Sequence, residues 1–374
     1  MMENVFQMAP VAGRLGKDKE IALEFPKMDQ PFITGKVSTT LGYIPQVASE
    51  LTSGDRMGTL KARWAIGRMR FTVDPGLYAL GIPDAESPVF ATANYKMSFD
   101  CLRSALRKMS AWILVLDTKG INVWCAAGKG TFGTEELIYR IASSGLDRIV
   151  SHRRIILPQL GAPGVAAYML KKLSGFSAVF GPIKASDIPE FIENGLKATT
   201  EMRRKSFTTG ERAALIPVEL VQALRVGILI IAAFFVLGAF GKGDDYLSAA
   251  LSVGVLAALG VLTAIFSGAV LTPLLLPWIP GRAFSLKGAL VGLAGGALLL
   301  VLERHRAANL SDMLDVISWA ILVVALSAYL AMNFTGASTY TSLSGVRREM
   351  RWAVPMQIAG GIMGLGLMVV SRLI

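Results

Sequence analysis

Residues 121–134 have the sequence INVWCAAGKGTFGT, in which a cysteine stands just before a glycine-rich loop. Short apolar runs and helical patterns alternate on both sides of this stretch. Upstream of it, residues 88–94 and 111–116 have the apolar and β-branched composition of strands, and residues 98–109 have a helical period. Within it, we predict a further strand at residues 121–124.

The same alternation continues downstream and predicts an α/β fold. Short apolar runs suggest strands, and amphipathic runs suggest helices, as follows: a helix at 135–144, a strand at 148–151, a helix at 163–173, a strand at 178–180 and a helix at 188–194. A doubly wound, Rossmann-like open sheet fits this order. Ligands of such sheets bind at the carboxyl ends of the strands.

Charge and hydropathy divide the chain into two halves. The mean hydropathy is +0.50, which is high for a soluble enzyme. Residues 1–216 contain 28 Lys and Arg against 20 Asp and Glu, whereas residues 217–374 contain 10 and 7. The basic residues of the first half are scattered and no nucleic-acid motif accompanies them, so nucleic acid is not an expected partner.

The second half is predicted to be an all-α transmembrane domain in a lipid bilayer. A helix needs about 20 apolar residues to cross a bilayer. Five stretches meet this requirement, at about 222–240, 247–270, 284–302, 313–332 and 353–371. We therefore expect an N-terminal extension at 1–60, an α/β domain at 61–216 and a transmembrane domain at 217–374.

Orientation follows from two features of the sequence. Residues 1–60 lack the apolar core of a signal peptide, so the α/β domain is expected to stay in the cytoplasm beside the inner membrane. The basic residues of the short loops place the C-terminus outside.

The spans have almost no ionisable residue at mid-depth, which disfavours a transporter. Pairs of glycines four residues apart, at 292/296 and 360/364, predict close helix packing, and the Ser/Thr-rich stretch 333–345 is expected to fold against the α/β domain or a partner.

The glycine-rich loop raises a dinucleotide-binding alternative. Gly128–Gly133 matches G-x-G-x-x-G, with Thr134 as a possible helix cap. However, the acidic residue expected about 20 positions later is missing, and the loop does not match a P-loop. An NAD(P)-binding membrane protein stays open as an alternative.

Four segments together resemble the HgcA family, the corrinoid proteins of microbial mercury methylation. The segment NVWCAAGK at 122–129 is similar to the signature of that family. The segments ANYKMSFD at 93–100, LPQLGAPG at 157–164 and FGPIK at 180–184 are similar to the corrinoid domain of corrinoid iron–sulfur proteins. The resemblance implies a cobalamin-type corrinoid on a Rossmann-like domain and transfer of a methyl group from cobalt to Hg(II), which makes methylmercury.

The resemblance also implies the site residues. Cys125 is the expected catalytic residue, because its thiolate would be the lower axial ligand of cobalt. The further residues expected to bind the cofactor are Asn122, Val123, Trp124, Ala126, Ala127, Gly128, Lys129, Gly130, Thr131, Phe132, Gly133, Thr134, Gln159, Leu160, Gly161, Ala162, Pro163, Gly164, Gly181 and Pro182.

The chemistry of a thiolate ligand supports this assignment. A thiolate opposite the methyl group pushes electron density onto the metal, as in some haem proteins. Hg(II) is a soft electrophile that would accept the methyl group. Amides of the glycine-rich loop, the helix start at Thr134 and the side chain of Lys129 are expected to favour the thiolate. By contrast, Cys101 falls in an apolar-periodic helix and is expected in the core.

The cysteine count implies partners. With only two cysteines, the chain cannot supply the usual four thiolates of an iron–sulfur cluster. The resemblance implies a ferredoxin-like partner of the HgcB type with two 4Fe-4S clusters, and a methyl donor that depends on methyltetrahydrofolate. A second function stays open, in which the protein is a corrinoid methyl carrier of one-carbon metabolism and mercury is a fortuitous acceptor.

Overall fold

The computed structural model describes residues 21–240, 246–305, 309–334 and 343–374. They divide into two compact units, one of residues 21–62 and 66–205 and the other of residues 63–65 and those from 206 onward. The first 20 residues of the predicted extension, and most of the Ser/Thr-rich stretch, lie outside the described residues.

The first unit contains a seven-stranded mixed sheet. Its order is β1-β2-β3-β5-β4-β6-β7. Strands β5, β4, β6 and β7 are parallel to one another, whereas β3 is antiparallel to β5. The strands are β1 (Ile33–Thr39), β2 (Gly42–Val47), β3 (Gly76–Leu80), β4 (Val89–Ala93), β5 (Ala111–Leu116), β6 (Arg154–Leu157) and β7 (Ser177–Phe180).

Helices cover both faces of this sheet. Successive residues of β5 alternate between two apolar clusters: Trp112 and Leu114 pack beside Leu137, whereas Ile113 and Val115 pack on the Phe99 side. This period of two confirms the doubly wound α/β prediction. The helices of this unit are α1 (Ser53–Arg63), α2 (Lys96–Ala105), α3 (Val123–Lys129), α4 (Thr134–Ser143), α5 (Leu146–Ile149), α6 (Ala167–Ser174) and α7 (Ile188–Glu193).

The strand order creates a crevice at one edge of the sheet. The chain passes from β4 to its neighbour β5 and then crosses back to β6 on the other side of β4. Such a reversal opens a crevice beyond the carboxyl ends of the parallel strands. The segments that follow β4, β5 and β6 all start at this edge, and they contain most of the predicted site residues.

Three details of the sequence interpretation were wrong. Residues 121–124 do not form a strand, because Asn122 caps α3 and the backbone turns helical at Val123. Residues 146–149 form the short helix α5, and the strand predicted at 148–151 comes later, as β6. The helix predicted at 163–173 begins only with α6, because Gln159–Gly164, with Pro163 inside it, forms a 3-10 helix.

The sheet also begins before residue 61. Strands β1 and β2 form an antiparallel pair, and β2 pairs with β3 in parallel. Residues 21–60, which the sequence analysis separates as an extension, therefore contain two strands of the sheet and most of α1.

A buried network of ion pairs joins α1 to α2. Lys96 Nζ lies 2.6 Å from Asp55 and 2.7 Å from Asp100, and Arg103 lies 2.8 Å from each of the two carboxylates. Burial raises the pKa of Asp55, but hydrogen bonds from Lys96, Thr52 and Arg103 outweigh this effect, so its pKa lies well below the ordinary 3.8. The network therefore joins α1 to α2 most strongly while Asp55 is ionised.

The second unit is helical, which confirms the second part of the fold prediction. Among its described residues, five helical segments are long and apolar enough to cross a membrane: Thr209–Ala239, Tyr246–Leu275, Phe284–Glu303, Leu310–Asn333 and Ser344–Leu373. Each includes most of a predicted span, and the first and last begin earlier than predicted. The elements are α8 (Thr209–Ala213), α9 (Ile216–Ala239), α10 (Tyr246–Ile265), a π-helical turn (Phe266–Leu271), α11 (Thr272–Leu275), α12 (Phe284–Glu303), α13 (Leu310–Asn333) and α14 (Leu343–Leu373).

Glycines let α12 and α14 approach α13 closely, as predicted. A Cβ atom at Gly292 would lie 3.0 Å from the Cα of Val324, and one at Gly296 would lie 3.0 Å from a backbone oxygen of α13. On α14, a Cβ atom at Gly364 would lie 2.7 Å from the side chain of Leu322. Larger residues at these positions would force the helices apart.

Candidate functional site

Cys125 lies in the first turn of the two-turn helix α3. The helix starts here because the side-chain oxygen of Asn122 accepts a hydrogen bond from the Cys125 amide, at 2.9 Å. Asparagine is a favoured residue at this capping position. The side chain of Cys125 is half-buried. The capping bond thus fixes the backbone of the cysteine at the edge of the sheet.

The glycine-rich loop closes the other end of α3. Gly130 has a left-handed backbone (φ 81°), and its amide, with those of Thr131 and Phe132, donates to the carbonyls of Ala126 and Ala127. These amides are therefore engaged in ending the helix. These three amides are not available to the Cys125 thiolate, contrary to the prediction from the sequence.

The same geometry argues against a dinucleotide site. The fingerprint requires a strand immediately before G-x-G-x-x-G, so that the turn leads the phosphates to the start of a helix. Here the helix α3 precedes the loop, and three amides of the loop donate hydrogen bonds to carbonyls near the end of that helix. The residues of the motif are present, but their structural context is not.

The 3-10 helix Gln159–Gly164 packs directly against this loop. A Cβ atom at Gly164 would lie 2.1 Å from the Phe132 carbonyl oxygen and 3.1 Å from the Cα of Ala127. The amide of Ala166 donates to the Thr134 hydroxyl at 2.8 Å. Two of the predicted binding segments, far apart in sequence, are therefore brought into contact.

The predicted residues differ in exposure. Five of them are buried and form the interior of the site: Ala126, Ala127, Phe132, Gly133 and Gly161. Gly128, Lys129, Gly130 and Pro163 are exposed. The remaining residues of the two segments are half-buried and form the boundary with solvent: Asn122, Val123, Trp124, Cys125, Thr131, Thr134, Gln159, Leu160, Ala162 and Gly164.

Gly181 and Pro182 follow β7 at the same edge of the sheet and are buried. The Gly181 amide donates to the Leu157 carbonyl at 2.8 Å, and its Cα faces the side chains of Ile156 and Phe191. These contacts pack β7 against β6 and α7. The structure does not bring this pair into the contact between α3 and the 3-10 helix.

One buried atom in the site has no hydrogen-bond partner among the described residues. It is the side-chain oxygen Oε1 of Gln159. A buried acceptor without a donor is costly, so native proteins usually satisfy such atoms with water or a ligand. A corrinoid has peripheral amide groups that can donate hydrogen bonds, and a soft thiolate suits its metal. Gln159 and Cys125 thus fit such a group.

Asn94 is a structural residue of the site that the sequence analysis did not single out. It is buried at the end of β4, and its side-chain oxygen accepts from the Thr118 amide at 3.1 Å, the Thr118 hydroxyl at 2.9 Å and the Gly120 amide at 3.0 Å. Thr118 also donates to the Ile121 carbonyl. Asn94 therefore holds the loop that leads from β5 to Asn122. A polar residue at the end of a central strand was the signal that could have identified it.

A second set of polar contacts supports the same loop. The Asp117 amide donates to Glu136 on α4 at 2.8 Å, and Arg140 pairs with Glu136 at 2.9 Å. Burial raises the pKa of Asp117, but the side chain and the amide of Lys119 outweigh it, so the pKa lies below its usual value. These contacts keep an anionic group beside the loop.

Other candidate metal ligands lie elsewhere. Cys101 is exposed on α2. The prediction that it lies in the core, which its apolar neighbours suggested, was wrong. His152 contacts the Ser87 carbonyl at 3.0 Å, at the opposite end of β4 from the site. In the part of the chain that the structure describes, no three His, Cys, Asp or Glu side chains group as metal ligands would.

Known proteins resemble the α/β unit. The family "CO dehydrogenase/acetyl-CoA synthase delta subunit" matches residues 57–192. The chain is 33% identical over 139 residues to the acetyl-CoA decarbonylase/synthase complex subunit gamma of Methanocaldococcus jannaschii, which is 36% of this chain and 28% of that protein. It is 30% identical over 126 residues to the corrinoid/iron-sulfur protein large subunit of Moorella thermoacetica, which is 33% of this chain and 28% of the relative.

These matches are limited to one region. The chain spans little more than a quarter of the length of the relatives that it matches. The matching region contains the crevice, α3 and the 3-10 helix. The α/β unit therefore contains a domain homologous to that of corrinoid/iron–sulfur protein subunits.

Proposed function

We propose that this protein is a membrane-anchored corrinoid methyltransferase of the HgcA type, which transfers a methyl group to Hg(II). The main support is the position of Cys125, a half-buried thiol on a capped two-turn helix at the ligand-binding edge of a corrinoid-protein-like domain. The Gln159 acceptor beside the same contact is a second support.

The residues have distinct roles in this proposal. Cys125 would bind the metal as a thiolate and would increase its electron density. Asn122 fixes the backbone of Cys125, Asn94 holds the loop before it, and Gln159 would accept a hydrogen bond from the cofactor. The corrinoid supplies methyl-transfer chemistry at cobalt, and Hg(II) is the substrate that accepts the methyl group.

The membrane arrangement and the partners are part of the same proposal. The five apolar helices anchor the protein in the inner membrane, with the α/β unit in the cytoplasm and the C-terminus outside. A ferredoxin-like protein with two 4Fe-4S clusters supplies electrons, since the chain has only two cysteines. A methyltetrahydrofolate-dependent system supplies the methyl group.

The cofactor assignment is tested by absorbance spectroscopy. The protein is purified anaerobically and reconstituted with cobalamin, as the wild type, Cys125→Ala and the control Cys101→Ala. We expect corrinoid bands in all three, with a shift only in Cys125→Ala, because Cys101 lies exposed on α2. Identical spectra in all three would exclude Cys125 as a ligand, and absence of bound corrinoid would exclude the cofactor.

The mercury assignment needs a separate measurement. Cells that produce Cys125→Ala are expected to form no methylmercury, whereas Cys101→Ala should retain wild-type formation. Full methylmercury formation by Cys125→Ala would contradict the proposed role.

A corrinoid methyl carrier of one-carbon metabolism is the second candidate. It is favoured by the similarity to corrinoid/iron–sulfur and acetyl-CoA decarbonylase/synthase subunits. Deletion of the gene distinguishes the two. A growth defect in the absence of mercury would favour the carrier, and unchanged growth with loss of methylmercury would favour the methyltransferase.

A further inference from the structure

An exposed apolar surface lies on α1 and the turn that follows it. Met57 and Leu60 are 51% and 50% exposed, and Ile66 and Met69 are 61% and 69% exposed. Four large aliphatic side chains at half exposure or more, within 13 residues, form an unusual concentration for a solvated face.

The four residues belong to one surface because the turn folds back on the helix. The Ile66 amide donates to the Lys61 carbonyl at 2.8 Å. A Cβ atom at Gly58 would lie 2.6 Å from the ring of Phe71, so this part of α1 packs directly on the residue after the turn. We call the exposed side chains of Met57, Leu60, Ile66 and Met69, with the basic residues beside them, the amphipathic surface.

The charge of this surface has one sign. Arg56, Lys61 and Arg70 are exposed beside the apolar side chains. Asp55 is the only acidic residue between positions 51 and 73, and it is buried in ion pairs with Lys96 and Arg103. The surface thus offers cations and apolar groups, and Glu50, the exposed acid just before this segment, pairs with Arg107.

We propose that the amphipathic surface docks on an anionic lipid surface, with the apolar side chains at the boundary of headgroups and acyl chains. Aliphatic residues flanked by Lys and Arg are typical of segments that lie in this interface. Among the described residues, five helices of the same chain are long and apolar enough to span a bilayer. A lipid surface is therefore a partner that the chain itself would meet, and no second macromolecule is needed.

The docked surface would lie beside the candidate site. A Cβ atom at Gly120, in the loop held by Asn94, would lie 3.4 Å from the Met69 carbonyl oxygen, and Thr72 pairs with Tyr95 after β4. Both contacts are at the edge of the sheet where the crevice opens. Docking would therefore place this edge, rather than the opposite one, next to the bilayer.

A fluorescent label on the full chain tests the proposal. An environment-sensitive dye is attached to Met69→Cys in a Cys101→Ser, Cys125→Ser background, and the protein is placed in nanodiscs with phosphatidylglycerol and headgroup-proximal nitroxide lipids. Ile82→Cys is the matched control: Ile82 is 82% exposed, and its amide bonds to Ser110 before β5, at the opposite edge of the sheet.

We expect the nitroxide lipids to quench the label at position 69 and not at position 82. Neutralisation of Arg56, Lys61 and Arg70 to Gln should weaken docking roughly a hundredfold, because each basic residue near an anionic surface contributes about a fivefold factor. High salt should reduce quenching in the unsubstituted protein in the same direction, which tests the electrostatic part without three substitutions.

Two outcomes would overturn the proposal: absence of quenching at position 69, or equal quenching at both positions. If absence of quenching at 69 comes with a blue shift of the label, the occupant is a protein, such as a second copy of the chain. None of these readouts requires a corrinoid, so their failure is distinguishable from failure of the proposed function.

Discussion

Replacement of Asn94 by alanine should loosen the loop before Cys125 without unfolding the domain. The side-chain oxygen of Asn94 accepts from two buried amides, those of Thr118 and Gly120, at 3.1 and 3.0 Å. The Thr118 hydroxyl keeps its alternative acceptor, the Ile121 carbonyl. The Thr118 amide also donates to the Leu116 carbonyl at 3.0 Å, so the variant leaves one buried donor, the Gly120 amide, without its acceptor.

The size of the effect follows from that one donor. A buried donor that loses its acceptor costs about 1–3 kcal/mol, so we expect a loss of about 1–3 kcal/mol in loop stability. Since 1.36 kcal/mol corresponds to a factor of ten, amide exchange should accelerate about 5- to 150-fold.

Hydrogen exchange followed by mass spectrometry measures this change in the peptide that contains residues 117–122. The control is Asn194→Ala, the same substitution at an exposed position at the end of α7. Exchange in the control should match the wild type. Unchanged exchange of the 117–122 peptide in Asn94→Ala would refute the view that Asn94 holds the loop.

Three further predictions concern packing and charge. Gly164→Ala should destabilise the cofactor-free protein by about 1–3 kcal/mol or more in thermal unfolding, because its Cβ would overlap a backbone oxygen, whereas Gly128→Ala, with open space around it, should be neutral or slightly stabilising. Asp55→Asn should lower the free energy of unfolding by about 3–5 kcal/mol, because it breaks a buried ion-pair network. In the wild type, the stability that this carboxylate contributes is complete above its ordinary pKa of 3.8 and declines as the pH falls below that value. The unfolding free energies of the two proteins, measured over a pH series, should therefore converge in acid. Gly292→Leu should lower the unfolding temperature of the detergent-solubilised protein by separating two helices, and Gly366→Leu, which meets nothing within 4 Å, should not; equal effects of the two would contradict the packing.

The period of the apolar residues identified the elements that are buried on both faces or on one clear face. Strand β5 and helix α4 were predicted within a residue of their observed bounds, since an apolar run buried on both faces and an amphipathic run are strong signals. The apolar helices were found for the same reason. Strands β1 and β2 were missed because one face of each is partly exposed and their sequences contain Gly, Pro and Thr.

The site was predicted by residue type but not by conformation. The stretch around Cys125 looks like a strand, because Ile121, Val123 and Trp124 favour strands. The hydrogen bond from the Cys125 amide to the Asn122 side chain overrides that preference and starts a helix. Such a bond depends on where the chain turns, and the spacing of apolar residues does not indicate it. The support from Asn94 is non-local, and no pattern near Cys125 in the sequence indicates it.

The shortness of α3 limits what fragments of this protein can reproduce. Seven residues are well below the length at which a helix persists in water by itself. Its shape is sustained by the 3-10 helix that packs against it and by the loop that Asn94 fixes. A synthetic peptide containing Cys125 and its neighbours would therefore be a flexible thiol, and its cobalt or mercury affinity would say little about the cysteine in the folded chain.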